Sequence, residues 1–322
     1  MKKGLAFLLS LLLLAGCFTA QAQIYDTVWI KSVTSDRVHL RQRADTDSKS
    51  LGLYFTGTRA VILSENGEWS YVMIGTEKGY VHRSLLSAKP TGSQARAGTV
   101  TANGFLNLRA YPTKNASVLM KIPEGSTITL LGETHDHWYL VKVNDTYGYV
   151  MTSYVKTTDA AADRYDAPAV PSALPGRWYY SSGAGGWQTV MTVDNDGTFW
   201  GYFHDSEMGD IGKNYPYGSA YECLFTGRFV NIRQVDRYEY QMEVDGYHFF
   251  GSKNEEKILD KIRYITVDTA GMAQGTRCSL YLPGFPADRL SEDALFQYRN
   301  YYTEGNPAFL YNRNTEAAFI AE

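Results

Sequence analysis

Val38-His39-Leu40-Arg41 returns as Leu106-Asn107-Leu108-Arg109, 68 positions further along a chain of 322 residues. The echo continues outward from that tetrapeptide. Gly57 returns as Gly125 at the same offset. Trp69 returns as Trp138, Gly79-Tyr80-Val81 as Gly148-Tyr149-Val150 and Ser84 as Ser153, all at an offset of 69. One residue inserted between Gly125 and Trp138 accounts for the change. Self-similarity at a fixed period marks a repeated structural unit, so the first half of the chain holds two copies of one small fold. Each copy places short apolar runs on either side of a polar turn: 60–63, 65–68 and 69–72 in the first, and 127–131, 133–136 and 138–143 in the second. Asn66-Gly67 is a tight-hairpin dipeptide. Short strands with tight turns make each copy a small β unit.

Composition points the same way. The 25 Tyr, 14 Phe, 6 Trp and 29 Gly suit half-buried strands and turns better than helices. With 20% charged and 44% hydrophobic residues, the chain is neither a disordered polyelectrolyte nor membrane-embedded. A net charge of −3 leaves no electrostatic footprint for nucleic acid.

The N-terminus reads as a signal peptide over residues 1–22. Lys2 and Lys3 precede an apolar run over 5–15, which is too short to stay in a bilayer as a spanning helix. Ala20-Gln21-Ala22 fits an ordinary signal peptidase and gives a mature chain from Gln23. Leu14-Ala15-Gly16-Cys17 resembles a lipoprotein lipobox, with Cys17 as the lipidated N-terminus. Both exits predict an extracytoplasmic protein of the bacterial cell envelope, periplasmic or lipid-anchored, that meets a membrane only through that anchor. In an oxidising compartment Cys223 and Cys278 could form a disulfide; they could equally be two buried small hydrophobes.

The order Leu-Arg, a central Gly, Trp, then Gly-Tyr-Val and Ser, met twice, resembles the bacterial SH3-like (SH3b) domain, over about 24–87 and 96–156. The family's usual Gly-Pro after Leu-Arg is replaced by Arg43-Ala44 in the first copy and Tyr111-Pro112 in the second. The resemblance implies two small barrels in tandem that attach extracytoplasmic proteins to peptidoglycan or to an envelope protein. Trp69, Tyr80, Trp138 and Tyr149 are the candidate ligand-binding residues, since aromatic side chains give stiff binding surface. The same four residues could instead close two small cores.

Residues 157–174, rich in Ala, Asp and Pro, read as a linker. The segment 175–322 changes character. It reads as about seven strands joined by short turns, hence an antiparallel β-barrel or sandwich, with a short terminal helix capped by Ser291. Its Gly176-Arg177-Trp178-Tyr179 opening resembles the first strand of lipocalin-type barrels, which would put a ligand at the barrel mouth. With Tyr180-Ser181-Ser182-Gly183-Ala184-Gly185-Gly186-Trp187, His204–Asp210 and Leu280-Tyr281-Leu282-Pro283-Gly284, the segment also resembles an uncharacterised domain of exported bacterial proteins. The fold class is all-β throughout.

For chemistry, His204, Asp205, Glu207 and Asp210 fall within seven residues and could hold Ca²⁺ or a transition metal, though their spacing fits no metal motif. A polar surface turn explains them as well, and no cofactor is expected. No Gly-x-Ser-x-Gly elbow or His-Glu-x-x-His occurs. Cys223 has only His248 downstream, weak support for a thiol hydrolase. The expected function is therefore non-catalytic binding in the envelope. The alternatives are a wall-directed hydrolase with its active site in the C-terminal domain, and repeats that act only as spacers.

Overall fold

The computed structural model describes residues 25–32, 35–134, 136–161, 170–182, 186–301 and 308–321. Residues 1–22, read as a signal peptide and including Cys17, and residues 162–169 lie outside the described residues.

Repeat 1 comprises β1 (Thr27–Ile30), β2 (Arg37–Arg41), β3 (Ser50–Phe55), β4 (Arg59–Asn66), β5 (Trp69–Ile74), β6 (Glu77–His82) and β7 (Leu86–Ser87). Repeat 2 has the same order: β8 (Arg96–Val100), β9 (Phe105–Arg109), β10 (Val118–Pro123), β11 (Thr127–Thr134), β12 (Trp138–Val143), β13 (Thr146–Met151) and β14 (Val155–Ala161). A short 3₁₀ turn precedes the last strand of each. The repeated motifs have matching jobs. Leu40 and Leu108 are fully buried, as strand alternation requires. The Arg41 and Arg109 guanidinium groups donate to the Ser48 and Ala116 carbonyls at 2.6 and 2.7 Å, closing the same loop in both. At Gly79 and Gly148 a Cβ would stand 2.7 Å from the Arg41 and Arg109 carbonyls. Only glycine lets that strand pass.

The repeats share one sheet. β3 pairs antiparallel with β11, Tyr54 opposite Gly132 and Gly52 opposite Thr134. A Cβ at Gly132 would lie 2.5 Å from the Tyr54 ring, so the seam depends on that glycine.

The C-terminal segment is a closed barrel. Its strands are β15 (Gly176–Ser181), β16 (Trp187–Val193), β17 (Thr198–Glu207), β18 (Ser219–Gln234), β19 (Glu239–Phe249), β22 (Arg277–Tyr281), β23 (Phe309–Asn312) and β24 (Ala318–Ala321). Each pairs antiparallel with the next, and β24 returns to β15. This is an eight-stranded up-and-down barrel rather than a sandwich. A hairpin of β20 (Glu256–Leu259) and β21 (Ile262–Thr266) adds to one edge, β21 running parallel to the start of β18. The helix α1 (Glu292–Tyr301) is capped as expected, Ser291 Oγ accepting from the Ala294 amide at 3.2 Å. Of the segment read as a linker, 157–161 continues β14, and Val170 and Leu174 pack on the barrel core.

Trp178, Phe199, Phe225, Phe229, Met242, Leu280 and Phe319 fill the interior. Side chains thus fill the centre of the barrel. Cys223 and Cys278 are free, buried thiols in that core, the buried-hydrophobe alternative rather than the disulfide. Their strands, β18 and β22, are separated by β19. Two strand spacings, about 9.5 Å, exceed the span of a disulfide.

Candidate functional site: one hairpin face and a three-way cleft

Strand alternation gives the barrel a second apolar face on its outside. On β17, Phe199 and Phe203 point inward, while Trp200 and Tyr202 join the core shared with the repeats. On β18, Cys223 and Phe225 point inward and Leu224 outward. An outward aromatic wall requires cover, and the repeats supply it. Tyr147 of β13 packs 5.1 Å from Trp200, 5.4 Å from Phe250 and 6.3 Å from His248, ring to ring. Tyr25 packs 4.6 Å from Tyr202. Arg59 lies over Trp29 and Trp200 at 5.6 and 5.4 Å and pairs with Asp194. Burial pushes the His248 imidazole down to about 4, so it is neutral here.

At the edge of this seam lies a charged pair. Lys78 Nζ donates to both Glu222 oxygens at 2.7 Å, and Tyr202 Oη donates to Glu222 at 2.5 Å. The Lys78 ammonium stands 3.5 Å from the centre of the Tyr264 ring. Both charged side chains are less than a tenth exposed, so each depends on the other for compensation. Burial lowers the Lys78 ammonium below its usual range while Glu222 acts against that shift. Burial and the neighbouring carboxylate raise Tyr264 to about 12. Around the pair opens a cleft of about 260 Å³. Repeat 1 contributes Met73, Thr76 and Glu77; repeat 2 contributes Tyr111, Pro112 and Thr113; the barrel side contributes Leu224, Phe250, Glu255, Lys257 and Thr266. Tyr111 Oη and Thr266 Oγ1, 3.1 Å apart, tie two of the walls.

One face of the β5–β6 hairpin leads to this cleft. Its cross-strand pairs are Trp69 with His82, Tyr71 with Tyr80 and Met73 with Lys78. Residues two apart share a face, so the three pairs form one ladder ending at the cleft. The Trp69 and His82 rings meet edge-on at 5.4 Å, and those of Tyr71 and Tyr80 lie tilted at 4.9 Å. Trp69, Tyr71 and Tyr80 are half-buried.

The four aromatic residues singled out in the sequence thus part company. In repeat 2 the equivalent pairs are Trp138 with Met151, Leu140 with Tyr149 and Lys142 with Tyr147. Trp138 and Tyr149 are 6% and 0% exposed. Tyr149 Oη accepts from the Thr76 amide and hydroxyl of repeat 1 at 2.9 and 3.0 Å. The same face is consumed in holding the molecule together.

His204, Asp205, Glu207 and Asp210 are not gathered. His204 packs 5.4 Å from the Tyr25 ring; Asp205 accepts from the Ser206 amide at 2.8 Å, Glu207 from the Gly209 amide at 3.2 Å, and Asp210 pairs with Arg263. Among the described residues no group of three or more His, Cys, Asp or Glu is placed to hold a metal ion. Cys223 and His248 face opposite sides of the sheet, and burial pushes the thiol up to about 12. Lys78, Glu222, Tyr111 and Tyr264 escaped the sequence reading. The signal for Tyr111 was the Tyr111-Pro112 dipeptide standing where Gly-Pro was expected.

Residues 104–156 match the family model described as a bacterial SH3 domain. Repeat 2 contains a bacterial SH3 domain. The chain is 24% identical over 148 residues to a Bacillus subtilis (strain 168) protein named as an N-acetylmuramoyl-L-alanine amidase, YrvJ. That match takes in 43% of this chain and 28% of the relative, so the chain spans little more than a quarter of that protein's length. Two solved structures, NlpC1 and NlpC2 from Trichomonas vaginalis, match 43% and 42% of the chain and 48% of their own. Their identities are 15% and 16%, and their TM-scores 0.23 and 0.22.

Proposed function

We propose that the protein is an exported envelope protein that binds peptidoglycan without cleaving it, through the β5–β6 face of repeat 1. The observation that carries this reading is the contrast between the two hairpins. Repeat 1 leaves Trp69, Tyr71 and Tyr80 accessible as a ladder, while repeat 2 has its counterparts buried. Aromatic ladders offer flat faces for sugar rings or peptide at little entropic cost. Repeat 2 then serves as the structural spacer and repeat 1 as the binder. A thiol hydrolase on Cys223 is disfavoured by the geometry of that residue, although the name of a relative that matches 43% of this chain attaches amidase chemistry to that protein.

The test is co-sedimentation of the chain from Gln23 with purified peptidoglycan sacculi. The wild type pellets, and Trp69→Ala with Tyr80→Ala lowers the apparent affinity at least about tenfold, the equivalent of about 1.4 kcal/mol. Equal pelleting of the variant rejects the assignment of the face. Release of soluble muropeptides in the same tubes would overturn the non-catalytic part. Intact-mass measurement of the exported protein separates a Gln23 start from a lipidated Cys17.

A further inference from the structure

The cleft between the three units is a second place where a ligand fits, and its chemistry differs from that of the ladder. Glu77 enters it from repeat 1 and Glu255 from the barrel side. Neither carboxylate has an ion-pair partner among the described residues. Glu222 is already neutralised by Lys78, and Lys257 is the rim's remaining cation. Glu256, also on the lining, pairs with Arg263 at 3.7 Å, so the two carboxylates of Glu77 and Glu255 are left with one ammonium group, Lys257, whose charge acts on Glu255. Burial raises the Glu255 carboxyl above its usual range, as expected where a cation would relieve it. Lys78 shows how this wall treats a primary ammonium: a carboxylate at 2.7 Å on one side and the Tyr264 ring at 3.5 Å on the other. The cavity of about 260 Å³ is small for a drug-sized molecule and fits an amino acid or dipeptide.

We propose that this cleft binds a small ligand bearing a primary ammonium group on an aliphatic or peptide chain, with Glu77 and Glu255 receiving the ammonium and Tyr111 and Tyr264 flanking the chain. The inference does not depend on what the β5–β6 ladder holds.

The test is calorimetric titration of the chain from Gln23 with the dipeptide L-alanyl-L-lysine and with the same dipeptide acetylated on both amines. The free dipeptide is expected to bind, and the acetylated one at least about tenfold more weakly, since losing a charge-assisted contact costs that much or more. Glu77→Gln with Glu255→Gln should weaken the free dipeptide to the same extent while leaving the melting temperature in place, both side chains being outside the core. Equal affinity for the two dipeptides, an unaffected double variant, or no binding at millimolar concentration would each overturn the proposal. Should the double variant melt early, Glu255→Gln alone, on the exposed rim, carries the same prediction.

Discussion

In repeat 1 the face of the β5–β6 hairpin is half-open, with Trp69, Tyr71 and Tyr80 along it. In repeat 2 the same positions hold Trp138, Leu140 and Tyr149, all buried. The two copies share their internal devices down to the arginine that closes a loop and the glycine that lets a strand pass. What separates them is the neighbour. The β12–β13 face of repeat 2 is covered by repeat 1 and by the barrel, whereas the β5–β6 face of repeat 1 meets the barrel side at its Lys78 end and is half-buried beyond it. A duplicated domain can thus keep one copy of a surface as mortar and leave the other free, and a motif alone does not say which copy has which fate.

The comparison breaks most readily at the tryptophans. Trp138→Ala removes a buried ring and is expected to cost about 3–5 kcal/mol in denaturant unfolding, whereas Trp69→Ala should cost about 1 kcal/mol. Equal losses would mean that the two faces are equally structural. Next in size is a pH effect on the docked face. His248 is held neutral against Tyr147 with a pKa near 4, while in the unfolded chain it titrates near 6.5. Between those values the unfolded state binds the extra proton, so stability falls as pH drops from about 6.5 to 4, by up to about 3 kcal/mol. Unfolding at pH 7 and pH 5 should show the drop, and His248→Phe should flatten that part of it. A smaller loss is expected at the seam. Gly132→Ala drives a methyl group against the Tyr54 ring and the Leu53 carbonyl and should cost about 1–3 kcal/mol, read as a lowered melting temperature. The smallest effect is at Tyr80→Ala: within about 1 kcal/mol in stability, with the loss appearing in sacculus pelleting.

The repeats were legible because each motif residue does a local job: Leu40 and Leu108 fill a core, and Gly79 and Gly148 clear a carbonyl. These demands act within a copy and leave the same mark twice. The barrel was half legible. Long strands such as Thr198–Glu207 announce themselves, but β23 and β24 are four residues each, and β20 is an exposed edge strand. Docking left fainter traces. Lys78 in repeat 1 corresponds to Tyr147 in repeat 2, a charge exchanged for a ring where the barrel wall arrives. Trp200 and Tyr202 alternate with Phe199 and Phe203, so β17 is aromatic on both faces, the mark of a strand covered twice. The same alternation sends His204 to the docked face while Asp210 turns to Arg263, so the four candidate metal ligands stand apart. The charged pair at the cleft joins residues of different domains, and no local pattern announces it.

Closure of the barrel has a consequence in time. β15 is the first barrel strand to be made, yet its outer partner is β24, the last. A chain handed out from its N-terminus completes both repeats, seam included, well before the barrel can close. During that interval the Tyr147 face of repeat 2 has no barrel wall against it, and Trp200 and Tyr202 have no fixed strand to stand on. The order of synthesis makes the repeat pair the template on which the barrel is finished, and leaves that newly made aromatic face as the surface a chaperone would have to shield.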